Sequence, residues 1–206
     1  MSTDEPGSAT RGKDYEERLS RLQTARWKQW LDVQAPFRRN LQSLAPGFTL
    51  DIGCGIGRTL LHIGGHGVGV DTNPHCVEVS RSRGLTAFTP DAFWASEYAR
   101  PSRFDSLLLA HVAEHMHEDD AIEILRPFEP CLRPGGQLIM LCPQEAGFES
   151  DATHVEFMDF ERLTRIARGL GFEPLRTYSF PFPRWVGRFF TYNEFVVVSR
   201  KPAATR

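Results

Sequence analysis

Leu50-Asp51-Ile52-Gly53-Cys54-Gly55-Ile56-Gly57 is the stretch on which the reading of this chain turns. It closes a short apolar run, Phe48 to Ile52, and leads into Arg58 to Ile63, which reads as a short helix. A buried strand, then glycines, then a helix start is the pattern of a strand-to-helix turn in an open α/β sheet. Such turns lie at the carboxyl edge, where ligands bind. Glycines let the backbone turn sharply and let a ligand approach without a Cβ in the way. N–H groups at the helix start add donors. The spacing is Gly-x-Gly-x-Gly, not the Gly-x-Gly-x-x-Gly of dinucleotide binders.

Outward from this turn, strands and helices alternate. Val68-Gly69-Val70 predicts a second strand, and Pro74 to Arg83 a helix with Pro at its start and Gly84 as its stop. Leu85 to Thr89 is a third strand and Ala92 to Tyr98 a short helix. Phe104 to Ala110 holds three consecutive leucines, Leu107 to Leu109, as suits a central parallel strand covered on both faces. Glu118 to Leu132 predicts a helix stopped by Pro134-Gly135-Gly136, and Gln137 to Cys142 a fifth strand. Asp159 to Leu170 follows as a helix, with Asp159 as N-cap and Gly171 as stop. Glu173 to Phe180 and Glu194 to Ser199 are two closing strands. The pattern predicts a Rossmann-like, doubly wound seven-stranded sheet with helices on both faces. Before it, apolar residues at helical spacing (Leu19, Leu22, Trp27, Trp30, Leu31) predict a helix from Tyr15 to about Val33. Pro36 interrupts it, and a short helix runs from Phe37 to Leu44. The expected organisation is a disordered N-terminus over residues 1–14, a helical cap over 15–45, one domain over 46–201 and a tail over 202–206.

Composition narrows the class. The 206 residues carry 41% hydrophobic and 24% charged side chains and a formal net charge of -2, which suits one globular core and offers no global basic field for nucleic acid. No apolar run has the roughly 20 residues needed to span a bilayer, and the first residues lack the apolar core of a secretory signal. Cys54, Cys76, Cys131 and Cys142 lie far apart with no Cys-x-x-Cys spacing. They read as core thiols of a reducing, cytoplasmic compartment.

Acids stand at successive strand ends. Asp51 precedes the glycines, where a carboxylate is a poor neighbour for a pyrophosphate but a good one for a ligand bearing an ammonium and a sulfonium. Asp71 ends the second strand, where it can accept from both hydroxyls of a ribose. Asp91 follows the third, in Pro90-Asp91-Ala92-Phe93, beside an aromatic ring able to pack on a base. With Phe104-Asp105, Glu114-His115 and Leu132-Arg133-Pro134-Gly135-Gly136, these residues resemble the class I S-adenosylmethionine-dependent methyltransferases over about Phe48 to Lys201. The last stretch is similar to the small-molecule "type 11" branch, which includes ubiquinone-pathway O-methyltransferases. The resemblance implies an antiparallel last strand and S-adenosylmethionine as cofactor. It puts Asp51 and the glycines along the methionine moiety, Asp71 on the ribose, and Asp91, Ala92 and Phe93 around the adenine. The full cofactor-binding set expected is Asp51, Gly53, Cys54, Gly55, Gly57, Asp71, Thr72, Asp91, Ala92, Phe93 and His111. The stretch from Gly57 to Asp71 is short, so the first helix is expected to be truncated.

Methyl transfer needs alignment, exclusion of water and sometimes removal of a proton. His111, after the fourth strand, either borders the methyl as a general base or lines the site through its backbone. His154 is read as a second catalytic candidate, on a loop over the acceptor, or as a surface histidine. His111, Glu114, His115 and the later His154 also have the donor types of a divalent-metal site. They are similar to the Glu-x-x-Glu-His cluster of small-RNA 3′-end 2′-O-methyltransferases, with His111 in place of the first Glu. The preferred reading holds no metal and a small-molecule acceptor, methylated on O or N. A metal-assisted RNA methyltransferase and a non-catalytic cofactor-binding scaffold are the alternatives. Tyr15, Trp27 and Trp30 read either as a cover for the sulfonium or as packing. The aromatic link Phe180 to Tyr192 reads as an acceptor wall or as a homodimer contact.

Overall fold

The computed structural model describes residues 34–203, and the expected helix from Tyr15, the N-terminal residues and the end of the tail lie outside them. Seven strands form one sheet in the order β3-β2-β1-β4-β5-β7-β6. They are β1 (Thr49–Ile52), β2 (Gly67–Val70), β3 (Thr86–Phe88), β4 (Phe104–Ala110), β5 (Leu132–Pro143), β6 (Glu173–Phe180) and β7 (Glu194–Arg200). β1 to β5 pair in parallel, whereas β7 runs antiparallel to both β5 and β6. This is the doubly wound sheet with an antiparallel last strand that the sequence predicts.

The three leucines of β4 show why it is central. Leu107 and Leu109 enter the larger core with α5 (Glu118–Leu125) and α7 (Phe160–Gly169), while Leu108 faces Leu41 and Leu44 at the end of α1 (Ala35–Ser43). Successive side chains point to opposite faces of a strand, so a fully apolar run needs cover on both sides. A third cluster joins Leu60 of α2 (Arg58–His62) to Val77 of α3 (Pro74–Ser82), Leu85 and Ala87. The first helix after the glycine turn is short, as expected. Asp105 ties the start of β1 to β4: its Oδ2 accepts from Phe48 N–H at 2.8 Å and its Oδ1 from Arg133 Nε at 2.6 Å. The Phe48 N–H, more than Arg133, holds its carboxyl below the usual carboxylate range. The four cysteines are buried and free.

The short helix expected over Phe37 to Leu44 is α1, with Pro36 in its first turn, where its missing N–H has no intrahelical partner to lose. Other boundaries change. The helix expected over Glu118 to Leu132 is two elements, α5 and a 3₁₀ stretch from Arg126 to Cys131. Pro127 and Pro130 lack the N–H an α-helix would need there. Leu132 then opens β5, so Pro134-Gly135-Gly136 lies inside that strand, where Gly135 N–H donates to Lys201 O at 3.0 Å. Among the described residues there are two further short α-helices: α4 (Pro90–Trp94), earlier and shorter than expected, and α6 (Glu145–Glu149), which the sequence reading does not include.

Candidate active site at the carboxyl edge

The glycine turn is tied to its neighbour strand. Gly53 N–H and Cys54 N–H both donate to Val70 O, at 2.8 and 3.1 Å. Gly53 has φ 74°, and a Cβ there would come within 2.5 Å of Val112 Cγ2. Gly55, at φ 52°, differs: a Cβ would meet nothing within 4 Å among the described residues. Gly57 is the left-handed N-cap of α2. One glycine therefore serves packing, and the next faces open space.

Asp71 holds this turn. Its Oδ2 accepts from Gly55 N–H at 2.7 Å and its Oδ1 from Asn73 N–H at 2.8 Å. Each carboxylate oxygen has capacity for a further hydrogen bond. Asn73 in turn caps α3 by accepting from His75 N–H at 3.0 Å. Asp51 is 1% exposed, and its Oδ2 has no hydrogen-bond partner among the described residues. Burial, then the nearby Asp71 charge, pushes its carboxyl up to about 7, with Arg58 pulling the other way. Burial, with Asp51 and Asp71 nearby, also pushes the Cys54 thiol well above its ordinary value. Thr72, Asp91 and Ala92 are exposed, the last two in the first turn of α4. Phe93 is fully buried, its ring packed on Trp94, Phe104 and Phe128. A ring with no exposed face cannot pack on a base, which corrects the sequence expectation for that side chain.

His111 follows β4 with φ 58°, uncommon for a residue with a Cβ. Its Nε2 lies 2.8 Å from Glu194 Oε1 and its Nδ1 3.5 Å from Glu114 Oε1. Burial works against protonation, but the charge of Glu194 and the contacts with Glu114 outweigh it and raise the imidazole to about 9. Glu114 is 1% exposed; burial raises its carboxyl, but His111, with His115 and a backbone hydrogen bond, more than offsets this and the net shift is downward. Its Oε2 accepts from Cys142 Sγ–H at 3.3 Å. The two carboxylates thus favour the protonated imidazole, whereas a general base there needs the neutral one.

These groups border a cavity of about 250 Å³. Phe37 and Asn40 of α1, Arg58 and Thr59 of α2, and His111 line it, together with Glu114, His115, His154, Tyr192 and Glu194. His154 Nδ1 lies 2.7 Å from Phe148 O, and its ring stacks on Phe148. His115 Nδ1 lies 3.2 Å from Thr153 O. Glu114, His115 and His154 bring donor atoms within 4.8 Å of one another, a grouping able to hold a cation, while His111 turns to Glu194 instead. Phe182, Trp185, Phe189 and Tyr192 of the link are all exposed, and of these four only Tyr192 lines the cavity. Sequence reasoning missed Glu194. Its one signal is an acid opening an otherwise apolar strand.

The fold and this edge define a Rossmann-like protein built to bind a nucleoside carrying a cation. A methyltransferase-domain family matches residues 25–177, and the chain belongs to it. It is an S-adenosylmethionine-dependent methyltransferase of the class I superfamily. No curated protein matches the chain by sequence. Solved structures share the fold at low identity. The magnesium protoporphyrin IX methyltransferase of Synechocystis, with bound S-adenosylhomocysteine, is 14% identical with a TM-score of 0.64, over 94% of this chain and 97% of that one. The 1,6-didemethyltoxoflavin-N1-methyltransferase of Burkholderia thailandensis is 18% identical with a TM-score of 0.57, over 98% and 92%. An S-adenosylmethionine-dependent methyltransferase of Archaeoglobus fulgidus is 18% identical with a TM-score of 0.63, over 80% and 93%. The residues present fit the cofactor: Asp51 Oδ2 is a buried acceptor without a hydrogen-bond partner among the described residues, suited to an ammonium, and a Cβ on Gly55 would meet nothing within 4 Å. No helix among the described residues is long and apolar enough to cross a membrane.

Proposed function

We propose that this enzyme methylates an O or N atom of a small-molecule acceptor held in the cavity beside His111. The observation that carries this reading is that one cavity of about 250 Å³ is lined both by Arg58 and Thr59, which follow the glycine turn, and by His111, His154 and Tyr192. That volume suits a small ligand. Two of the similar structures are of enzymes named for small-molecule acceptors, a porphyrin and a toxoflavin precursor, which supports the same class.

In this reading Asp51 receives the cofactor's ammonium, Gly53, Cys54, Gly55 and Gly57 form the cradle, and Asp71 with Thr72 meets the ribose. Asp91 and Ala92 flank the adenine without the Phe93 ring. The cofactor, when bound, supplies a methyl group on a sulfonium. The chain's own residues align the acceptor with it and exclude water, the main requirements of an in-line displacement. Calorimetric titration with S-adenosylmethionine, S-adenosylhomocysteine and NAD should show binding of the first two alone. A methyl-transfer screen over phenols, carboxylic acids, amines and RNA should give turnover on a small molecule. Binding without any turnover would favour a scaffold, and turnover on RNA would reject the acceptor class.

The metal-assisted alternative has the grouping of Glu114, His115 and His154 behind it. Against it, the Glu114 carboxylate already takes His111 and the Cys142 thiol, so its charge is met without an ion. Elemental analysis of the purified enzyme should find no stoichiometric metal, and chelator should leave turnover unchanged.

A further inference from the structure

We propose that Arg58 receives the carboxylate of the cofactor's methionine moiety, so that Asp51 and Arg58 together read both charges of an α-amino acid head group. The assignment rests on the reading of Asp51 as the partner of the ammonium and adds the residue for the opposite charge.

Asp51 and Arg58 bracket the glycine turn. Asp51 lies in β1, 1% exposed, and its Oδ2 has no hydrogen-bond partner among the described residues. Arg58 is the first residue of α2 and lines the cavity. Its charge is felt at Asp51, where it favours the ionised carboxyl. Yet no hydrogen bond or ion pair joins the two, and Arg58 makes neither with any other group among the described residues. An α-amino acid carries its ammonium and its carboxylate on one carbon. A site for it needs an acid and a base held close but not in contact, and this turn holds such a pair.

The backbone keeps them apart. After Asp51, the N–H groups of Gly53 and Cys54 both donate to Val70 O. Before Arg58, Gly57 takes φ 80°, and a Cβ there would come within 2.3 Å of Leu85 Cδ1. Leu60, two residues on, is fully buried. Both ends of the turn are thus packed, and Arg58 leaves from a fixed point. The other arginine that reaches this turn is occupied: Arg83 Nη1 donates to Ile56 O at 2.8 Å. Glu114 and Glu194 on the cavity wall turn to His111 and not to Arg58. A guanidinium offers a carboxylate two parallel N–H donors, whereas a lysine would bring the charge without that fork.

Calorimetry on the full chain at pH 8, above the Asp51 value of about 7, tests this with three ligands. S-adenosylhomocysteine has both charges, its decarboxylated analogue keeps only the ammonium, and 5′-methylthioadenosine has neither. The natural enzyme should bind S-adenosylhomocysteine about 10- to 100-fold more tightly than the decarboxylated analogue. Arg58→Gln should abolish that ratio and leave the affinities for the other two ligands within about twofold. Arg58→Lys should keep part of the ratio. Equal weakening of all three ligands in Arg58→Gln would make Arg58 a support of the turn and overturn the assignment. So would an unchanged affinity for S-adenosylhomocysteine, and a raised KM for an acceptor from the screen would then give Arg58 to an acidic acceptor instead. If Arg58→Gln does not fold, Arg58→Lys and the natural enzyme decide: an unchanged ratio in the first, or equal affinities in the second, would overturn it. Were neither S-adenosylhomocysteine nor methylthioadenosine to bind the natural enzyme, the cofactor reading would fall as well. Binding of both without the predicted ratio strikes Arg58 alone.

Discussion

Asp51 is held where a lone carboxylate is unfavourable. It is 1% exposed, and its carboxyl is raised from 3.8 to about 7 by burial and by Asp71. A raised acid binds more protons folded than unfolded between those two values. Stability is therefore lost as pH climbs through that window and stays reduced above it. An ammonium opposite the unpartnered Oδ2 would offset the cost, as the proposed cofactor contact requires. Asp51→Asn should accordingly raise the melting temperature by several degrees at pH 8 and by less at pH 5, while weakening S-adenosylmethionine binding at least tenfold. Thermal denaturation at the two pH values, with a titration at pH 8, checks both halves. A variant less stable than the natural protein at pH 8 would show that the carboxylate contributes to the fold itself. At the neighbouring glycines, Gly53→Ala should cost more stability than Gly55→Ala. Both have positive φ, but only the first would drive a Cβ into Val112. Chemical denaturation of the two variants compares them directly.

At the scale of elements, local chemistry decides most of the outcome. Asp159 accepts from Arg162 N–H at 3.0 Å and starts α7, which packs Leu163, Ile166 and Ala167 into the core. Asp159→Ala should cost about 1 kcal/mol in urea unfolding and leave cofactor affinity unchanged, because α7 lies away from the glycine turn. Such features are legible in sequence because cap, apolar period and stop fall within one window. So are the acids at the ends of β1 and β2, since strand, glycines and carboxylate are neighbours in the chain. The break at Arg126 was also written there, in Pro127 and Pro130, but helical periodicity upstream masked it. Long-range pairing is what a single sequence hides. Glu194 meets His111 across 83 residues, and the meeting depends on β7 turning back along β5 so that Glu194 stands opposite Pro143. The burial of Phe93 is hidden for the same reason: its partners Phe104 and Phe128 come from two other elements. The acids at the strand ends could thus be read forward, whereas the contact of Glu194 with His111 required the closed sheet.

For the molecule as a whole, the site exists only once separate strand ends have been brought together. β1 brings Asp51, β2 brings Asp71, α4 follows β3, and β4 delivers His111. A ligand that spans these elements binds the folded chain and not the unfolded one, so occupancy must appear as stability. At a hundredfold excess over its dissociation constant the gain is about 2.7 kcal/mol. For a domain of this length each kcal/mol moves the midpoint by roughly 2–4 °C. S-adenosylhomocysteine should therefore raise the melting temperature by about 5–10 °C, and NAD at the same concentration should not. Asp71→Ala separates two contributions within that shift. Its carboxylate ties the turn by accepting from Gly55 and Asn73, so the unliganded midpoint should fall on its replacement. If the same carboxylate also meets the ribose, the ligand-induced rise should shrink as well. A variant that lowers the baseline but keeps the full rise would confine Asp71 to holding the turn and would move ribose recognition elsewhere on the edge.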